Sequence, residues 1–203
     1  MNSASTMQYT AVVASSTEEA LMMSYVSGDA SAFHQLFARL APPVHAFFLR
    51  SFRNATTADE LMQETFLKIH RGRSTFRPGL PLRPWVFTIA AHVRRDELRR
   101  RRRIKEDCDE ERLAAAEELE AIAHAARNEE ASSDATQAVR DALEQLPESQ
   151  RVVIHLHRYE RMTFGEIAAV LGTSEVAVRG RAFRAYERLR KALAPILSSR
   201  GAP

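Results

Sequence analysis

At 203 residues, with 45% hydrophobic and 27% charged residues, the chain has the composition of a soluble globular protein with room for two small cored units. A net charge of +3 is mild, but basic and acidic residues are segregated along the chain, and segregation decides partners more than the sum does. Cys108 is the single cysteine, which excludes an internal disulfide and a cysteine-rich zinc site and points to the reducing cytoplasm.

Residues 1–17, rich in Ser, Thr and Ala, read as a poorly ordered lead-in. They lack a basic segment followed by a long apolar stretch, and no later window approaches the roughly 18 uncharged apolar residues of a membrane span. Neither export nor membrane insertion is therefore expected. Apolar residues then recur at three and four spacing, with almost no alternating runs, which predicts an all-α fold. Phe33, Leu36, Phe37, Leu40, Val44, Phe47 and Phe48 mark the inner face of the first long helix, and Pro42 and Pro43 are expected to kink or break it. Thr57 and Glu60 have the spacing of a capping box for a helix that ends near Gly72. RSTFRPGLPLRP must then be a loop, and Pro84 suits the first turn of the next helix. That helix buries Trp85, Val86, Ile89, Ala90 and Val93, and its far end is the Arg99 to Arg103 run, where cations complement the helix dipole.

The following stretch, KEDCDEERLAAAEELEAIAHAARNEEASSDA, is acidic and alanine-rich but lacks a bulky apolar stripe. It reads as a linker of partial helicity or, equally, as a solvated helix packed on one of the units. A second compact unit starts near Thr136 with Val139, Leu143 and Leu146, and a helix from Glu148 to about Tyr159 follows. Thr163 and Glu166 form a further capping box, Gly172 closes that short helix, and Thr173-Ser174 caps a long basic one, which makes a helix-turn-helix. The expected organisation is a lead-in (1–17), a first helical domain (18–104), an acidic linker (105–135), a second helical domain (136–196) and a tail (197–203).

With Ile167, Leu171, Val178 and Ala182 facing inward, the last helix presents Ser174, Glu175, Ala177, Arg179, Arg181, Arg184 and Arg188. Such a helix fits the major groove, its first residues reaching base edges and its later arginines reaching phosphates. The competing reading is a helical hairpin with a solvated arginine face. In the first unit Arg94, Arg95 and the Arg99 to Arg103 run supply phosphate-binding charge near Phe76 and Phe87. Cations interleaved with aromatics suit a single strand, whose unpaired bases stack while its backbone is neutralised. The competing reading places Trp85 and Phe87 in the core, which the apolar stripe favours for Trp85.

Three stretches, DELMQETFLKIH, LRPWVFTIAAHVRRDELRRRRR and LPESQRVVIHLHRYERMTFGEIAAVLGTSEVAVRGRAFRAYERLRKAL, resemble in order and spacing the extracytoplasmic-function (group 4) sigma factors of bacterial RNA polymerase. The resemblance runs from Gly28 to about Leu193 and implies two helical domains, sigma region 2 and sigma region 4. It implies that Asp59, Glu60, Leu61, Gln63, Glu64 and Phe66 bind the β′ clamp helices of core polymerase. The loop 73–84 corresponds to the segment that captures a base flipped from the −10 element. The implied −10 contacts are Arg73, Phe76, Arg77, Arg83, His92, Arg95, Arg99 and Arg100. Opening a duplex costs about 1.4 kcal/mol per base step, and pockets for extruded bases supply the compensating preference.

Region 4 is implied to meet the polymerase β flap and to read the −35 duplex through Ser174, Glu175, Ala177, Arg179, Arg181 and Arg184. Ala177 and Gly180 stand where the family usually carries hydroxyl residues, and His92 where it usually carries asparagine, so no promoter sequence transfers. An anti-sigma partner is implied as well. The acidic residues Glu106, Asp107, Asp109, Glu110 and Glu111 are expected to imitate nucleic acid inside the polymerase.

Two other classes compete. A stand-alone helix-turn-helix regulator would bind a palindromic duplex without polymerase. An enzyme is disfavoured: carboxylates around Cys108 raise rather than lower its thiol pKa, and His155 and His157 diverge on a helix. No catalytic residue, cofactor or metal site is expected.

Overall fold

A computed structural model describes residues 17–107 and 134–199, among which every regular element is helical. Residues 1–16 of the N-terminal lead-in, residues 108–133 of the acidic segment with Cys108, Asp109, Glu110 and Glu111, and residues 200–203 of the tail lie outside the described residues.

Helix α1 (Glu18–Val26) starts where Thr17 accepts a hydrogen bond from the Ala20 amide at 3.2 Å, and Glu18 and Glu19 sit in its first turn, where the helix dipole favours anions. Asp29 caps α2 (Ala30–Phe52), accepting from the Ser31 and Ala32 amides. Of the expected kink or break, no break occurs: Pro42 and Pro43 lie inside one continuous helix. Each removes a backbone hydrogen bond at a cost of about 3 kcal/mol. Leu40, Val44, Phe47 and Phe48 flank them and are at most 2% exposed, and their burial returns about 1.5–3 kcal/mol apiece.

The expected Thr57 capping box is also corrected. Helix α3 (Ala55–Gly72) begins three residues earlier in register, with Asn54 accepting from the Thr57 amide at 2.8 Å. The Thr57 hydroxyl is thereby released to accept from Arg101 at 3.1 Å. A 3-10 turn (Arg73–Thr75) and the proline-rich loop lead to α4 (Leu82–Asp107), which carries Pro84 in its first turn as expected and runs four residues beyond Arg103. Val86, Phe87, Ala90 and Val93 are buried, while Trp85 and Ile89 are half-buried against the core.

The second bundle consists of α5 (Asp134–Glu144), α6 (Glu148–Arg158), α7 (Phe164–Leu171) and α8 (Glu175–Ser199). The Thr163–Glu166 capping box is present in both directions, and Gly172 closes α7 with φ 63°, a left-handed value that glycine adopts without steric cost. Ser174 caps α8, accepting from the Ala177 amide at 3.2 Å.

The two bundles share one buried cluster. Phe47, Phe87 and Val93 of the first join Val152, Val153, Leu156, Ile167 and Val178 of the second, as α6 packs on α2 and α7 packs on α4. A smaller cluster of Leu146, Ile154 and Ala185 closes the second bundle internally.

Candidate functional site

Helix α3 separates the residues assigned to polymerase binding by physical role. Asp59, Glu60, Gln63 and Glu64 are exposed, whereas Leu61 and Phe66 are 6% and 5% exposed and face the bundle interior. Leu61 and Phe66 therefore hold the helix in place, and the polar quartet forms its exposed face. Leu67, 47% exposed at the next turn after Glu60, Gln63 and Glu64, adds an apolar member that the sequence reading missed. Asp59 faces His45 at 3.3 Å and Glu64 pairs with Lys68 at 2.9 Å, and both contacts are solvent-exposed and weak.

The eight residues assigned to the −10 strand fall on one loop and one helix but in different states. Arg77, His92 and Arg99 are exposed. Arg73 donates to the His70 carbonyl at 2.7 Å and lies over the Tyr25 ring. Phe76 is 5% exposed, its ring edge-on to Trp85 with centroids 5.5 Å apart, so it braces the loop from inside. Glu97 grips Arg100 and Arg101 at 2.6–2.8 Å. Burial raises the Glu97 carboxyl pKa, but these hydrogen bonds outweigh it and hold the group below its ordinary value.

Three further arginines of α4 are engaged across the bundle interface. Arg83 forms a two-pronged pair with Glu18 at 3.0 and 2.8 Å and donates to Glu160 at 2.8 Å. Arg95 donates to the Leu171 carbonyl at 3.3 Å, just before the Gly172 turn. Arg94 is not free for a phosphate in this arrangement, although its sequence position suggested that role. It is 8% exposed, paired with Glu148, and donates to the Ser51 hydroxyl at 3.2 Å. Burial, with Arg151 and Arg95 nearby, lowers its pKa to about 10, which leaves it charged at neutral pH.

His155 sits at the centre of this interface and is 2% exposed. Arg50 donates to its Nδ1 at 3.1 Å, so Nδ1 is the acceptor and the proton resides on Nε2, which faces Glu160 Oε1 at 3.4 Å. Arg50 also lies over the Tyr159 ring, and Glu148 and Arg151 line the adjoining small cavity. Burial holds the imidazole below its ordinary value of 6.5, opposed by Glu160 and reinforced by Arg50. The folded chain thus favours neutral His155, and the stability this adds is complete above pH 6.5 and lost as the pH falls through the lowered value. The thermal midpoint is expected to drop on acidification below pH 6.5, and His155→Gln should flatten that dependence; an unchanged slope in the variant would refute the assignment.

On α8, Val178, Ala182 and Ala185 are buried, and Ser174, Glu175, Arg179, Arg184 and Arg188 are exposed, with Ala177 and Arg181 half-buried beside them. Arg179 pairs with Glu175 at 2.6 Å, so both side chains lie over the first turn. The Arg184 guanidinium lies over Gly180, where an added Cβ would come within 3.4 Å of it.

Two family models match the chain: "Sigma-70 region 2" over residues 36–104 and "Sigma-70, region 4" over residues 136–189. The RNA polymerase sigma factor CarQ of Myxococcus xanthus is 38% identical over 172 residues, spanning 85% of this chain and 95% of that protein. The chain belongs to the extracytoplasmic-function sigma factors of RNA polymerase. The RNA polymerase sigma-H factor of Pseudomonas aeruginosa is 30% identical over 178 residues, spanning 84% of this chain and 90% of the relative. ECF RNA polymerase sigma factor EcfG of Rhodopseudomonas palustris is 30% identical over 148 residues, spanning 73% of this chain and 77% of EcfG. Among solved structures, CnrH in complex with the cytosolic domain of CnrY is 30% identical with a TM-score of 0.57, covering 88% of this chain and 97% of that one. The fold is also that of the sigma factor RpoE from Bartonella quintana, solved with the anti-sigma factor NepR, at 23% identity and a TM-score of 0.62 over 80% of this chain and 96% of that one.

In this sigma factor the exposed carboxylates of α3 and the arginines of the loop and α4 both lie within the region 2 match, and the α8 face lies within the region 4 match. Glu97 was legible in sequence, since it stands three and four residues before Arg100 and Arg101 on one helix. Glu18 and Glu160 were not, because they reach Arg83 from 65 and 77 residues away. Among the described residues no helix is long and apolar enough to cross a membrane.

Proposed function

We propose that this sigma factor divides promoter-specific initiation among three faces. The exposed Asp59, Glu60, Gln63, Glu64 and Leu67 of α3 meet basic residues of the β′ clamp helices, on the scaffold set by buried Leu61 and Phe66. The loop 73–84 and α4 hold the separated −10 strand through Arg73, Arg77, Arg83, His92, Arg95, Arg99 and Arg100, with Phe76 bracing the loop. Region 4 docks at the β flap and lays α8 in the −35 major groove through Ser174, Glu175, Ala177, Arg179, Arg181 and Arg184. The functional units are taken as 18–104 and 136–196.

The observation that carries this reading is the helix-turn-helix itself: a doubly bonded capping box, a left-handed Gly172 turn, and an α8 with a buried apolar face and exposed arginines. Both region matches on one chain disfavour a stand-alone operator-binding regulator. The protein acts by binding, with no catalytic step of its own, and works in the cytoplasm where polymerase is. An anti-sigma factor is a partner, as NepR is in the structure solved with RpoE.

Core polymerase and this chain, mixed on a promoter library, should together produce permanganate-reactive thymines upstream of defined start sites. Neither alone should do so. Absence of unpaired thymines in the complete mixture would refute the proposal. Within that complex, Arg184→Ala should weaken duplex binding evenly across sequences and reduce the slope of log affinity against log salt by about 1, as loss of one phosphate contact does.

A further inference from the structure

A cleft of about 410 Å³ lies between α2, α5 and α6 and shares no residue with the three faces assigned above. Leu49 of α2, Val139 and Leu143 of α5 and Ile154 of α6 line its apolar part, and Val139 is 43% exposed. The guanidiniums of Arg50, Arg53, Arg140 and Arg151 line the same cleft beside a single carboxylate, that of Glu144. Three of these arginines meet neutral groups: Arg50 donates to His155 Nδ1 at 3.1 Å and lies over the Tyr159 ring, Arg53 donates to the Glu144 carbonyl, and Arg151 donates to the Leu146 carbonyl at 3.2 Å. Arg151 Nε is buried with no acceptor among the described residues. Burial lowers the Arg151 pKa, Arg53 lowers it further and Glu144 opposes both, so these three charges lie close enough to feel one another.

We propose that this cleft binds a small carboxylate amphiphile, its head between Arg53 and Arg151 and its aliphatic body along Leu49, Val139, Leu143 and Ile154. Each guanidinium carries five N–H donors in a planar fork, of which the contacts above engage only a part, and that fork matches a carboxylate. Beside Glu144, the two arginines leave one positive charge over, which a monoanionic head neutralises. Size decides against a peptide helix as the occupant. A helix about 10 Å across fills about 420 Å³ in each turn, and recognition in a groove takes anchors over roughly two turns, whereas the cleft holds the volume of one. Its volume and its apolar lining with a few convergent polar groups are those of a small-molecule site. The ligand bridges α2 of the first bundle to α5 and α6 of the second, and by binding the folded chain alone it raises the thermal midpoint.

The test is isothermal titration of the full chain with decanoate, kept below its micelle concentration. Saturable binding is expected, with decan-1-ol and decylammonium, which share the aliphatic body, at least about tenfold weaker. Octanoate should bind more weakly than decanoate by about fourfold for each methylene lost. Arg53→Gln removes a charge from the head site, and Val139→Glu sets a like charge in the apolar wall; each should weaken decanoate at least about tenfold. Val139 is exposed, so a folding failure of Arg53→Gln leaves Val139→Glu as the test. Lys191→Gln, which removes an exposed cation of α8 outside the cleft, should leave binding unchanged.

No saturable binding, equal binding of decan-1-ol or decylammonium, or a decanoate affinity unchanged in both cleft variants would each overturn the site. Equal weakening by Lys191→Gln would overturn it as well, by showing that net charge rather than the cleft attracts the anion. None of these outcomes bears on promoter melting, which uses other residues.

Discussion

Phe47→Ala is expected to destabilise the protein by about 3–5 kcal/mol, against the roughly 5–15 kcal/mol that a natural domain has in total. Phe47 is 1% exposed and stands where the two regions meet, with its ring 5.4 Å from Phe48, 5.6 Å from Phe87 and 5.5 Å from His155. Truncation removes the transfer free energy of the ring and leaves a cavity that three packed helices cannot fill, because α2, α4 and α6 are each held by further buried residues. The gap would also loosen the seating of His155, whose ring packs on Phe47 and accepts a hydrogen bond from Arg50. Urea unfolding followed by circular dichroism should show the midpoint moving far to lower denaturant. A loss below about 1 kcal/mol would mean that the interface closes over the gap and that the packing around Phe47 is looser than described.

The double charge reversal Glu60→Arg with Glu64→Arg should reduce assembly with core polymerase by at least about 100-fold while leaving folding almost untouched. Interface residues that matter cost upward of about 2 kcal/mol on truncation, and placing like charges across a contact adds to that cost. Both carboxylates are exposed on α3, and the one pair lost with a described geometry, Glu64 to Lys68, is a surface pair of small value. Holoenzyme formation measured by fluorescence anisotropy, beside a thermal melt of the free protein, separates the two effects. Assembly within about threefold of the parent would remove α3 from the polymerase contact. A lowered melting temperature would show that the face is structural.

The way the candidate site was legible follows from how far each interaction reaches along the chain. The Thr163–Glu166 box, the Gly172 turn and the Ser174 cap are contacts within a few residues, and they appear in the structure as read. The inward face of α8 followed from helical spacing in the same way. The start of α3 was misread although it is equally local, because Asn54, three residues before Thr57, offers the amide a competing cap, and Arg101 from another helix claims the Thr57 hydroxyl. That the chain stays helical through Pro42 and Pro43 was not legible for a different reason: proline's cost is local, but the burial that offsets it comes from helices distant in sequence.

By itself the sequence determined the all-α class, the order of the helices, the helix-turn-helix and the motifs shared with the sigma factors, since each depends on periodicity, caps or residue identity along a short stretch. Only the tertiary structure decided which cations face solvent. Arg94, Arg95 and Arg99 look equivalent in a basic run, yet Arg94 is buried against Glu148, Arg95 is held by Leu171, and Arg99 remains exposed. The reason is that desolvating a guanidinium is favourable only beside a compensating acceptor, and the acceptors that make this selection arrive from α6 and from the corner after α7, far along the chain.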